Sequence, residues 1–465
     1  MAITTSAYSV RLRVRLFHVP GTLGRLTTAI GQAGGNITSF EGFEIRDEYI
    51  DRQLTVDARS EEHIVEICDA VARVHGVELL EWGDRTFEMH EGGKLETVPR
   101  VKLRDAIDLS MAYTPGVARI SMAISQDPER VHELTLKRNT VAVITDGSAV
   151  LGLGDIGPGA ALPVMEGKSA LFKEFGGVDS FPLCLDVSDV DEFVETVVRV
   201  APVFGGINLE DIAAPRCFEI EARLRERLDI PVFHDDQHGT AIVVLAALTN
   251  AVKVVGKELT GLSVVIAGAG AAGTAIAIIL ADAGITDVVV VDSRGTIHHG
   301  RDDLNPAKRR LLEFTNPRGA TGSLAETLVG ADVFIGVSAP DIITRDDVLA
   351  MADQPLVFGL SNPNPEIDPS EVRDIVGVIA TGRSDYPNQI NNVLAFPGVF
   401  RGALDAGATA VTEGMKLAAA GAIASLVAPD ELTARAEIPS AFDRRVAPLV
   451  AAAVAEAAHR DGVCR

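Results

Sequence analysis

Two short apolar runs, one through Ile207 and Leu209 and one from Ile230 to Phe233, each stop at a pair of acids, Glu210-Asp211 and Asp235-Asp236. Between them lies a charged segment, Cys217 to Leu228, with leucines at helical spacing. A strand, a helix and a strand of these lengths form a parallel βαβ unit, whose crossover brings both strand ends to one edge of the sheet. Four carboxylates therefore converge where open α/β sheets bind ligands. Like charges that close repel one another and lose hydration, so a cation is expected between them, and a hard divalent ion, Mg²⁺ or Mn²⁺, suits oxygen ligands. A single acidic pair at a strand end reads as a solvated turn or a helix cap. Two pairs on adjacent parallel strands favour the metal.

The rest of the chain must house that unit. Its 465 residues predict two or three domains with ample core. With 42 Lys+Arg against 65 Asp+Glu, the net charge of −23 argues against nucleic acid or an anionic membrane as partner. The start, MAITTSAYSVRLRVRL, lacks a charged-then-apolar signal pattern, and no apolar stretch reads as long enough to span a bilayer. Cys68, Cys184, Cys217 and Cys464 are far apart and form no CxxC, as in a reduced set without disulfides or zinc. A cytoplasmic location is the expectation.

The overall class is α/β. From 8 to 88 the pattern is βαββαβ: an alternating strand Ser9–Phe17, a turn at Pro20-Gly21 into a helix carrying Leu23, Leu26 and Ile30, two strand-like runs (37–46 and 49–57), a helix from Glu61 to Val74, and a strand from Val77. With the PGTLGRL turn and the GGNI run, this segment resembles an ACT domain. The resemblance implies a small regulatory module that places an effector, commonly an amino acid, near the turn before its first helix. A role in oligomer contacts alone is the other reading. The polar stretch Glu88–Val98 reads as a linker, followed by an α/β substrate and metal domain (95–240) and a Rossmann-like NAD(P)-binding domain with C-terminal helices (241–465).

Two G-x-G-x-x-G runs compete for a dinucleotide. The run at Gly152, Gly154 and Gly157 is followed by Pro158 and Pro163, which are expected to disrupt an immediate helix. The run at Gly268, Ala269, Gly270 and Gly273 follows a strand, enters an uninterrupted helix, and is succeeded by DVVVVD ending at Asp292. That is the dinucleotide fingerprint, with pyrophosphate on the helix N-terminus and Asp292 on the ribose. An acid there repels a 2′-phosphate and favours NAD. Arg294, Lys308, Arg309 and Arg310 temper that preference and keep NADP open.

The runs YTPGVA, LGLGDIG…EGK, LED…HDDQHGTA, the glycine turn, SNPNPE and NNVLAFPGVF occur in the order seen in malic enzymes. Over roughly 95 to 455 the chain resembles the shorter bacterial type of that family. The resemblance implies oxidative decarboxylation of malate to pyruvate and CO₂ with NAD or NADP, and a homo-oligomeric assembly. It implies Lys168 as base and Tyr113 as acid. It implies Glu210, Asp211 and Asp236 as metal ligands with Asp235 supporting them, and Asn362 with Asn392 or Asn391 near nicotinamide and the substrate carboxylate. Larger members carry an arginine just before the LGLGD run, where this chain has Ser148, Ala149 and Val150, so the carboxylate clamp is not assigned. Three other outcomes remain open: a metal-free, ACT-regulated 2-hydroxyacid dehydrogenase, a non-catalytic small-molecule sensor, and a malolactic variant that retains NAD and releases lactate.

Overall fold

A computed structural model describes residues 4–150 and 152–465; Met1–Ile3 and Leu151 of the LGLGDIG run lie outside the described residues. The chain divides into two compact units, Met1–Thr97 and Val98–Arg465.

In the first unit, strands β1 (Thr5–Phe17), β2 (Asn36–Ile45), β3 (Tyr49–Ala58) and β4 (Val77–Asp84) form an antiparallel sheet in the order β2-β3-β1-β4. Two helices, Thr22–Gln32 and Glu61–Ala72, complete the βαββαβ order read from the sequence. The alternation in β1 buries Val10, Leu12, Val14 and Leu16, which meet Leu26 and Ile30 of one helix and Ile64, Ile67 and Val71 of the other. Each such side chain contributes about 1.5–3 kcal/mol on burial. Gly21, at φ 82, makes the turn into the first helix, a conformation glycine adopts freely. The expected linker begins inside a short helix, Arg85–His90, because Asp84 caps it by accepting the Thr86 and Phe87 N–H groups.

The second unit holds two parallel arrays. Strands β5 (Thr140–Thr145), β6 (Asp179–Cys184), β7 (Gly206–Leu209) and β8 (Val232–His234) lie in the order β6-β5-β7-β8, all parallel. The helix Arg216–Arg227 is the crossover between β7 and β8, as the acid-tipped repeat requires. Strands β9 (Ser263–Ala267), β10 (Asp287–Asp292), β11 (Gly295–Thr296), β12 (Val333–Gly336), β13 (Leu356–Gly359) and β14 (Val378–Thr381) form the other sheet, in the order β11-β10-β9-β12-β13-β14. Only β11 pairs antiparallel, as a hairpin on β10. The order reverses at β9, so the crevice beyond β9 and β12 is the topological switch point. One core joins the two arrays. Phe172 and Phe233 meet Phe400 edge-on at 5.4 and 5.8 Å between ring centroids, and Phe172 meets Phe396 at 4.7 Å.

Two expectations are revised. A helix does follow the first glycine run at once: Gly157–Gly176 starts at its last glycine and continues through Pro163. Pro158 lies in the first turn, where a missing N–H costs nothing. At Pro163 one hydrogen bond is forgone, and burial of Ala161, Met165, Ser169 and Phe172 outweighs it. Second, the helical stretch Asp235–Val255, at 21 residues, is long and apolar enough to cross a membrane by length and composition. It is 67% buried inside the fold, as expected of a core helix, because the Rossmann-type sheet and the C-terminal helices pack around it.

Candidate active site

The β7 and β8 ends deliver the four acids to one place. Ligand oxygens of Glu210, Asp211 and Asp236 lie within 4.8 Å of one another. Asp236 Oδ2 also accepts the Asp211 N–H at 2.8 Å. Asn208, fully buried on β7, donates to Glu210 Oε2 at 2.9 Å. Lys168 reaches in from the helix Gly157–Gly176, with its Nζ 2.6 Å from Asp235 Oδ2 and 2.9 Å from Glu210 Oε1. Asn392 donates to the same Asp235 oxygen at 3.1 Å and accepts the Thr240 hydroxyl. Gly239 has no side chain for a steric reason: a Cβ there would lie 2.0 Å from Asp235 Oδ1.

The electrostatics are lopsided. Burial pushes the Glu210 carboxyl well above its ordinary range; Lys168 opposes this, and Asp236, Asp235 and Asp211 add to it. Burial raises Asp235 in the same way, against Lys168. Burial alone would pull the Lys168 ammonium down, but Asp235 and Glu210 more than reverse it, and Lys168 holds its proton firmly. Lys168 thus pairs with two of the four carboxylates, Glu210 and Asp235. That all-oxygen set, short of positive charge, fits a hard divalent cation held by Glu210, Asp211 and Asp236.

The dinucleotide turn lies at the switch point. Gly268, at φ 121, packs so closely on Val337 that a Cβ would meet its carbonyl oxygen at 2.7 Å, and a Cβ on Gly273 would meet the Gly268 oxygen at 1.8 Å. Gly270 faces open space. The helix Ala271–Asp282 starts there, with its N–H groups toward a crevice of about 1260 Å³ that is lined by Gly268, Ala269, Gly270, Asp292 and Lys308.

Residues 92–225 match the family model described as malic enzyme, N-terminal domain, and residues 237–459 that of malic enzyme, NAD binding domain. The chain belongs to the malic enzyme family. Residues 4–80 match the ACT domain model, in agreement with the βαββαβ fold of the first unit. The chain is 52% identical to an NAD-dependent malic enzyme of Geobacillus stearothermophilus, over 99% of this chain and 96% of that one. It is 56% identical to a bifunctional malic/malolactic enzyme of Bacillus subtilis (strain 168), over 80% of this chain and 92% of that one. A crystal structure of malic enzyme from Pyrococcus horikoshii Ot3 superposes with a TM-score of 0.79 at 48% identity, covering 82% of this chain and 91% of that one.

Against that family background the remaining residues divide. Asn392 joins the acid cluster, whereas Asn391 caps the turn after it, its Oδ1 accepting the Val393 N–H. Asn362 is exposed, between the Gly152 turn and Gly382. Tyr113 is 68% exposed, and among the described residues no hydrogen bond or ion pair joins it to Lys168 or the acids. Asp292 does not stand alone in its crevice. Arg301 grips both of its oxygens, at 2.8 and 3.1 Å, and Lys308 lies 2.6 Å from Oδ2. Burial would raise Asp292; these two cations more than reverse it and hold the carboxyl at about 2. Arg301 is a partner of Asp292 that sequence reasoning missed, because the loop beyond the β10–β11 hairpin folds it back. Glu366, the acid of SNPNPE, was likewise unassigned. Fully buried, it accepts N–H groups of Ser338 and Ser361 and so ties the ends of β12 and β13 together.

Proposed function

We propose that this chain oxidatively decarboxylates (S)-malate to pyruvate and CO₂ and reduces NAD, with NADP the poorer coenzyme. The observation that carries the reading is the convergence of Glu210, Asp211 and Asp236 beside the buried Lys168–Asp235 pair. A divalent cation bound by those three acids would withdraw charge from the C2 oxygen of malate and offset the acids that hold the Lys168 proton. Lys168 takes the C2 hydroxyl proton as the C2 hydride passes to the nicotinamide ring. CO₂ then leaves from C3 without the C3–C4 bond pair, which stays behind as the enolate of pyruvate. The Tyr113 phenol gives C3 its proton. Asp235 and Asn392 orient Lys168, and Asn362 borders the nicotinamide side. The Gly268–Gly273 turn holds the pyrophosphate and Asp292 the ribose.

The division into 8–88, 95–240 and 241–465 follows this assignment of labour. A homo-oligomer is part of the same reading. No residue of the helices Ala106–Ala112 and Val117–Gln126 is buried, and Ile107, Met111, Tyr113 and Met122 are all more than half exposed. For Tyr113 to act, its segment must close over an acid cluster. The N-terminal unit is assigned a small effector, commonly an amino acid, at an open pocket of about 360 Å³ beside the Pro20-Gly21 turn, lined by Leu16, Thr22, Ile50 and Arg52 among others. The deciding experiment follows NADH absorbance with malate, Mn²⁺ and each coenzyme. EDTA-resistant turnover would point to a metal-free dehydrogenase, lactate without net NADH to the malolactic outcome, and effector binding without turnover to a sensor.

A further inference from the structure

Ser148 stands where the turn after β5 meets the loop that carries Glu210 and Asp211. Its hydroxyl donates to Asp146 Oδ1 at 2.6 Å and accepts the Ala213 N–H at 2.9 Å. The next residue repeats the tie, Ala149 N–H donating to the Asp211 carbonyl at 3.0 Å. Asp146 is itself anchored: its side chain is 3% exposed and pairs with the Arg216 guanidinium, which also donates to the Ser188 carbonyl at 2.8 Å. The loop needs such ties. Asp211 has φ 53, a left-handed backbone that side-chain-bearing residues rarely hold. Its N–H is spent on Asp236 Oδ2. The bonds from Ser148 and Ala149 therefore fix the backbone on the far side of Asp211, at its own carbonyl and at Ala213.

We propose that Ser148 is a positioning residue for the cation site, relaying the buried Asp146 carboxylate to the Asp211–Ala213 backbone so that Asp211 stays turned toward Glu210 and Asp236. The inference rests on the reading of those three acids as cation ligands. Ser148 touches neither substrate nor cation; it sets the spacing of the ligands. Groups that hold metal ligands in place typically change metal affinity by about 10–100-fold when removed.

The test titrates the full chain with Mn²⁺ and follows the electron paramagnetic resonance signal of the free ion, with NADH binding followed separately by fluorescence. Ser148→Ala is expected to weaken Mn²⁺ binding about tenfold or more while NADH affinity holds, because none of these bonds reaches the Gly268–Gly270 turn. Ser148→Thr and Ser148→Val, nearly equal in volume, differ by the hydroxyl; Thr should keep the Mn²⁺ affinity and Val should lose it. This pair decides the matter if the alanine variant folds poorly. Wild-type Mn²⁺ affinity in both Ala and Val variants overturns the inference, as does an equal loss of Mn²⁺ and NADH binding. A wild-type chain that binds no Mn²⁺, or an Asp236→Asn variant that binds it as tightly as wild type, overturns the cation reading and this inference with it.

Discussion

Replacing Lys168 with methionine tests the charge balance of the site apart from its chemistry. The lysine side chain is 11% exposed and its two partners, Glu210 and Asp235, are 6% and 0% exposed. Methionine keeps the apolar contact over the Phe396 ring, 4.3 Å from Nζ, and removes the charge. Removing one partner of a buried ion pair costs about 3–5 kcal/mol, because the other charge stays buried. Here the remaining acids escape part of that cost by taking up protons, as the raised Glu210 and Asp235 carboxyls are already disposed to do. A folded state that holds carboxyl protons more tightly than the unfolded chain loses stability as pH rises above the ordinary carboxylate range. The deficit of Lys168→Met should therefore grow with pH. In EDTA the apparent Tm is expected to fall by about 5 °C or more at ~pH 8 and by less at ~pH 5.5. Saturating Mn²⁺ should narrow the gap, because a divalent cation replaces the missing positive charge. Calorimetry of both proteins with and without Mn²⁺ reads all three quantities. If Lys168→Met melts like wild type in EDTA at the higher pH, the lysine is not what balances these acids.

Four further outcomes follow from the same geometry. Asp236→Asn removes a charged ligand, so turnover should collapse at low Mn²⁺ and Mn²⁺ affinity should fall at least tenfold; wild-type turnover there would dismiss Asp236 as a ligand. Asp292→Ser leaves Arg301 and Lys308 facing the ribose crevice without their acid, so kcat/KM for NAD relative to NADP should drop about tenfold, or about 1.4 kcal/mol; an unchanged ratio contradicts the assignment. Glu437 is fully buried, and among the described residues neither of its carboxyl oxygens has a hydrogen-bond partner; burial pushes its carboxyl well above the ordinary 4.5. Above that value the unfolded chain releases a proton that the folded chain keeps, at about 1.4 kcal/mol per pH unit until the folded group also ionises. Glu437→Gln should accordingly match wild type near ~pH 4.5 and be more stable at ~pH 8, and equal Tm values at both pH values would refute it. A chain beginning at Val98 should keep turnover with malate and lose its response to any effector found for the full chain; a response that survives assigns the effector elsewhere.

Much of the architecture was legible in the sequence because it rests on local periodicity. The alternation in β1, the helical spacing of Leu26 and Ile30, and the strand, glycine turn and helix from Ser263 onward are short-range signals, and each became the expected element. The acid pairs at 210–211 and 235–236 predicted their own meeting, since a right-handed βαβ crossover leaves two strand ends little choice of edge. Local rules failed where tertiary packing overrode them. Two prolines did not stop the helix at Gly157, and an apolar stretch of membrane length became the buried helix of a core.

The sequence by itself determined which chemical groups are present and which strand ends carry them. The tertiary structure decided which groups touch. Lys168 reaches Asp235 across 67 positions and Asn392 reaches it across 157, while the neighbouring Asn391, indistinguishable in sequence, turns away to cap its own backbone. Arg301 lies only nine residues from Asp292, yet nothing in the spacing shows that a folded-back loop clamps it there. Tyr113, legible only through its family motif, lies on an exposed segment apart from the acids. The physical reason is common to all of these. Periodicity records which face of an element is buried, but a hydrogen bond or ion pair depends on atoms coming within about 3 Å, and that distance is set by every element packed between them.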